Sequence, residues 1–172
     1  VSNKPKDTQG LLKKLKENAQ KSIETVKDKV TNFNLYDEEN INMYLHLDLL
    51  EDYLKPYFKA AVGNYKITMD AKKEFLNSNL NIKKISELMN SHHNYLKNNL
   101  KITTPEIDKM IDVSFENGAI GSKIVGSGGG GSIVSLSTNS NTSNKIVSAL
   151  KRVGVKDAFI ARKGNGPTIY YE

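Results

Sequence analysis

The chain has 172 residues, 38% hydrophobic and 26% charged, which suits one domain with a proper buried core. It has no Cys and three His, which excludes a disulfide framework and a thiolate metal site and argues against metal binding by the chain alone. The formal net charge is +6, but the lysine pairs Lys13-Lys14, Lys72-Lys73 and Lys83-Lys84 are interleaved with acids, as on solvated helix faces, so a nucleic-acid partner is not expected and an anionic small substrate fits better.

The opening VSNKPKDTQG lacks the apolar core of a secretory signal, and no apolar run approaches the roughly 18 residues that a membrane span needs. The expectation is a cytoplasmic protein without a membrane partner. From Thr8 onward, Leu11, Leu12 and Leu15 and then Ile23, Val26 and Val30 recur at steps of three and four, predicting a first helix of roughly twenty residues. NFNLYDEEN breaks the pattern, and INMYLHLDLLEDYLK resumes it with apolar residues at 41, 43, 45, 47, 49 and 50, which we read as helix. Pro56 fits a first helical turn, and Tyr57, Phe58, Ala61, Val62, Tyr65, Ile67 and Met69 carry a helix to Phe75. After the polar break NSNLN, the spacing of Ile82, Ile85, Leu88, Met89, His92, Tyr95 and Leu96 predicts another. Thr104 then reads as an N-cap, Pro105 as the first helical residue and Gly118 as the C-cap of a further helix.

After Gly118 the period shortens. SKIV and SIVSL read as strands, SNKIVSALKRVG as a helix closed by Gly154, and DAFIARKGNGPTIYY as two strands around a Gly-Asn-Gly-Pro turn. Residues 9–117 are thus mainly helical and 118–172 are strands plus one helix, in a single α+β domain with one four-stranded antiparallel or mixed sheet covered by helices. Between the first two strands lies KIVGSGGGGSIVSL. An interdomain linker is a poor account of it, because it sits between two β runs with only about 40 residues after it, few for an independent domain. Two accounts remain: a plain glycine-rich hairpin, or a loop whose bare backbone lies against an anion. Tyr53, Tyr57, Phe58 and Tyr65 at helical spacing read as core or interface, His92 as a packed core residue, and His93 as structural, bonding a neighbouring helix.

The stretch ENGAIGSKIVGSGGGGSIVSL, Glu116 to Leu136, resembles the third motif of the GHMP small-molecule kinases (galactokinase, homoserine kinase, mevalonate kinase, phosphomevalonate kinase), G-A-x-G-[AS]-[KR]-[LIM]-[TS]-G-[AG]-G-x-G-G and a strand. Val125 and Ser127 depart from it. LMNSHHNYLKNNLKITTPEID, Leu88 to Asp108, is similar to the galactokinase stretch L-M-x-x-S-H-x-S-[LM]-R-D-x-[FY]-x-[IV]-[ST]-x-P-[EQ]-[LI]-D. The resemblance implies a ferredoxin-like GHMP kinase C-terminal domain. It places Gly126, Ser127, Gly128, Gly129, Gly130, Gly131 and Ser132 beside substrate and phosphates, with backbone N–H groups facing the transferring oxygens. The family's phosphate-binding second motif and catalytic Asp have no match here. The resemblance therefore implies no catalytic residue and no metal ligand in this chain, which would work with its own N-terminal kinase domain, the main holder of ATP and Mg²⁺.

Residues 1–8 look like a remnant of the crossover from that domain, and Ser2 to Leu12 is similar to the mevalonate kinase form T-x-x-P-[RK]-x-T-x-x-L-[VL], which would put Thr8 near the substrate. With the all-Gly loop, where galactokinases often carry Phe at the place of Gly129, this favours mevalonate as the acceptor. Galactose, favoured by the His93 stretch, is the alternative, and a non-catalytic descendant that binds a ligand or partner is a second one. A methyl on Gly130 is expected to slow turnover and leave the melting point almost unmoved.

Overall fold

The computed structural model describes residues 9–37 and 43–161. Helix α1 (Gln9–Lys29) leads into a 3-10 helix (Met43–Leu49), α2 (Lys55–Leu76) and α3 (Ile82–Asn94), which runs on as a π-helical turn (Tyr95–Asn99). Then come α4 (Pro105–Glu116), strands β1 (Gly121–Val125) and β2 (Ser132–Leu136), and α5 (Ser140–Arg152). Helix starts follow side-chain chemistry. Asn81 accepts from the Lys84 amide at 3.0 Å, Thr104 from Ile107 at 3.3 Å and Asn139 from Thr142 at 2.9 Å, each satisfying an N–H that its helix leaves orphaned. Pro56 sits in the first turn of α2 as expected. α4 ends with Asn117 as C-cap, one residue before Gly118, whose φ of +97° makes the left-handed exit.

One expectation changes in INMYLHLDLLEDYLK, whose described residues before α2 form a 3-10 helix (Met43–Leu49) followed by a turn. Alternating apolar residues do not make an α stripe, and of the described side chains Leu47, Leu50 and Leu54, three and four apart, reach the core. That core joins them to Val26, Phe58 and Val62, between α1 and α2. A second core holds Leu96, Ile102, Ile107, Met110, Ile124 and Ile146, between α4, α5 and the hairpin. Full burial of one such side chain contributes about 1.5–3 kcal/mol.

The two strands pair antiparallel, with Gly121 opposite Leu136 and Val125 opposite Ser132. α3 lies between α2 and β1, and its Asn90 clasps the outer side of β1 by donating to the Ile120 carbonyl at 3.1 Å and accepting from the Ser122 amide at 3.0 Å. These helices on a small antiparallel sheet are the α+β arrangement expected. Two strands of the expected four are present among the described residues. The other two are expected in DAFIARKGNGPTIYY, of which Asp157–Ala161 has no ladder partner among the described residues and runs beside β2 and α5 as irregular chain. The remainder, 162–172, lies outside the described residues.

Candidate functional site

The connection between β1 and β2 is Gly126–Gly131. Its shape depends on missing side chains: φ is +84° at Gly126 and then +75°, +66°, +125° and +90° at Gly128, Gly129, Gly130 and Gly131. Four successive left-handed residues are a conformation that L side chains rarely adopt. At Gly128 space is limiting as well. A Cβ there would lie 2.7 Å from the Ile102 carbonyl oxygen and 2.9 Å from its Cβ and Cδ1.

Ile102 is the post on which this loop leans, and it is itself tied down. Lys101 takes φ of +52° where the π-helical turn ends, which lets the Ile102 amide donate to the Leu96 carbonyl at 3.1 Å. The Ile102 carbonyl in turn accepts from the Gly129 amide at 2.8 Å, and its side chain is buried. A continuous main-chain path thus runs from α3 through Ile102 into the glycine loop. Periodicity gave no sign of Ile102. Its signal was its place as the β-branched residue in the Leu88–Asp108 resemblance.

The predicted residues Gly126, Ser127, Gly128, Gly129, Gly130 and Gly131 therefore come together as one loop, Ser132 opens β2 beside it, and Thr8 lies outside the described residues. Two corrections follow from the geometry. The Gly129 N–H, expected to face transferring oxygens, is spent on Ile102 and holds the loop in place. Gly130 is buried at φ of +125°, so a methyl there strains the backbone and lowers stability along with turnover.

Electrostatics concentrate on the other face of β1. Lys123 points between α2 and α3 with its ammonium on the Ile124 carbonyl at 2.7 Å, and burial pushes its pKa down. His92 lines the same space, and its pKa is pushed down to about 4 by burial first, then by Lys123 and His93. His93 is buried, and its pKa too is lowered, chiefly by burial; its Nδ1 has no hydrogen-bond partner among the described residues. The expected bond from this ring to a neighbouring helix is thus not seen at Nδ1. Lys97 reaches Asp108 at 3.2 Å and ties the π-helical turn to α4.

These histidines make stability fall in mild acid. The unfolded chain binds a proton at His92 near pH 6.5 and the native chain only near 4, so stability is constant above about pH 7 and is lost as pH falls from about 6.5 to 4. With the ring partly open to solvent, about 2 kcal/mol is expected at stake. Urea melts at pH 7 and 4.5 should show that loss, and His92→Gln should remove most of it. An equal loss in the variant would place the effect elsewhere.

The third-motif resemblance predicts a glycine-rich loop between two short strands, which the structure has, and a family comparison agrees with the resemblance. Residues 72–156 match the model of the GHMP kinases C terminal. These residues are a GHMP kinase C-terminal domain. The GHMP kinase domain includes α3, α4, the hairpin and α5, and so takes in the loop and its post. The chain is similar to the galactokinase of Clostridium perfringens strain SM101, 27% identical over 159 residues that cover 86% of this chain and 39% of that protein. A galactokinase of Dictyostelium discoideum is 36% identical over 59 residues, 34% of this chain and 12% of that protein. In fold it is similar to the crystal structure of Lactococcus lactis galactokinase complexed with galactose, with a TM-score of 0.72 and 22% identity over 88% of this chain and 40% of that one. The chain thus spans well under half the length of the curated relatives it matches. Among the described residues no helix is long and apolar enough to cross a membrane.

Proposed function

We propose that this chain is the C-terminal part of an ATP-dependent sugar kinase of the galactokinase kind. The observation that carries it is the bond from Gly129 to Ile102, which joins the two stretches whose motifs it shares with that branch into one loop-and-post unit. The relatives supporting a sugar acceptor are galactokinases covering 86% of the chain. Support for mevalonate is correspondingly weaker. Ser2–Thr8 of the opening lie outside the described residues, and the glycine at 129 works here through a main-chain N–H that any residue but Pro could donate.

When bound, ATP with Mg²⁺ supplies the γ-phosphoryl group and neutralises its charge while a sugar hydroxyl displaces ADP. This chain's part is positioning. Backbone without Cβ atoms at 126 and 128–131 lets phosphate oxygens come close, and Ser127 and Ser132 place hydroxyls at the two ends of the run. Mg²⁺ bound with ATP would be held by phosphate oxygens and mainly by the N-terminal kinase domain that the family resemblance implies.

The test is ADP release by the gene product that carries this chain, with galactose and with mevalonate. At least a tenfold preference for galactose is expected, and a preference for mevalonate would overturn the sugar assignment. The 172-residue chain alone is expected to release no ADP with either, because its sequence has no match to the family's second motif or catalytic Asp. Turnover by the purified chain would sink its assignment as a partial site.

A further inference from the structure

Away from the glycine loop, α2, α3 and β1 enclose a groove of about 540 Å³, inside the range of sites that hold small organic molecules. Its walls are apolar: Ile67, Phe75, Leu76, Leu88 and Met89. Leu76 is 76% exposed and Phe75 64%, so large apolar side chains stand in water at its mouth. No Asp or Glu lines it. The charged groups that do are both cationic, Lys72 and Lys123, beside His92, whose imidazole is neutral at physiological pH.

Lys123 decides what the groove suits. It is half-buried, its ammonium is bonded only to the neighbouring Ile124 carbonyl among the described residues, and burial lowers its pKa with no carboxylate opposing that shift. A cation withdrawn from water without a counter-ion is a standing cost that a bound anion would relieve. The surroundings restrict that anion to one with a long apolar body, since a bare phosphate or small acid would leave the groove walls wet.

We propose that this groove is a binding site for an amphipathic carboxylate, with its hydrocarbon along Phe75, Leu76, Leu88 and Met89 and its carboxylate on the Lys123 ammonium and the His92 ring N–H. The site does not depend on the kinase assignment, because none of its residues belongs to the glycine loop or its post. Lys72 at the mouth adds a second favourable charge.

Decanoate and decanol are the probes, titrated into the full 172-residue chain by calorimetry while the Met89 methyl resonance is followed by NMR. Decanoate should bind at least about tenfold more tightly than decanol and shift the Met89 signal, since one charge pair of that strength is worth about 1.4 kcal/mol. Lys123→Met keeps the alkyl stem and removes the charge; it should bring decanoate down to the level of decanol, and Lys123→Arg should restore most of the difference. Thr68→Trp, which fills the groove from α2, should abolish binding of both. Equal binding of the two probes to the unaltered chain overturns the proposal whether or not any variant folds. So does an unmoved Met89 signal, and so does a dimer that decanoate fails to dissociate, which would make a second copy the occupant.

Discussion

Gly128→Ala is expected to lower stability by about 3 kcal/mol, the sum of a left-handed Ala and a methyl forced against a packed neighbour. For a chain of this size that is a fall of about 8 °C in melting temperature. The neighbour has little room to yield, because the nearest atom is the Ile102 carbonyl oxygen, held at 2.8 Å by the Gly129 amide, and Ile102 is anchored to α3 through Leu96. If the gene product that carries the chain is the kinase proposed above, the same change should lower its kcat by about a hundredfold, the scale on which a displaced transition-state contact registers. Calorimetry and turnover measured on one preparation test both parts. Since Gly130→Ala also strains the backbone, at φ of +125°, the informative contrast is between the two variants: Gly128→Ala should be the less stable, having a steric clash in addition to strain. An unchanged melting temperature for Gly128→Ala would remove Ile102 from its role as the loop's support.

The second large effect is expected in mid-helix, at Gly63→Ala. By helix propensity alone this change should stabilise α2 by about 1 kcal/mol. The structure reverses the sign, because a Cβ on Gly63 would fall within the Tyr95 ring, 2.6 Å from its hydroxyl oxygen and closer still to the ring carbons. Gly63 is buried where α2 meets the π-helical turn, so the ring must leave its place or the helices must part, at about 3 kcal/mol. Pairing the change with Tyr95→Leu should recover at least half of the loss, giving a coupling of about 1.5 kcal/mol in a double-mutant cycle. Additive losses would mean that the two residues do not meet.

Much of this architecture was legible in the sequence because it rests on local rules. The 3.6-residue period located α1, α2 and α3, Thr104-Pro105 announced α4, and the β-branched runs on each side of the glycines gave the hairpin. The failures share a cause, which is dependence on partners distant in sequence. Met43–Leu49 has an ambiguous period that only packing against α1 and α2 resolves. Gly63 looks like a helix defect until Tyr95, thirty-two residues on, is seen to need the space. The glycine loop was found by composition, but its support was not, since what matters at Ile102 is a main-chain carbonyl that every residue possesses. Lys123 looked like one more surface lysine in a basic chain, and only the fold turns it into a half-buried cation.

The π-helical turn at Tyr95–Asn99, with the Leu100 amide bonded to the Tyr95 carbonyl at 3.1 Å, holds one residue more than an α-helical turn would over the same path. That extra residue is slack. Removing the exposed Asn98 would let the segment close to ordinary α-helical bonding and still deliver Lys101 and Ile102 to the loop, whereas removing a residue from α2 or from the first part of α3 would rotate every later side chain by about 100° off its packing face. The chain therefore has a place between its two cores where its length can change by one residue without disturbing either, and related chains one residue shorter at this point can present the same glycine loop on the same post.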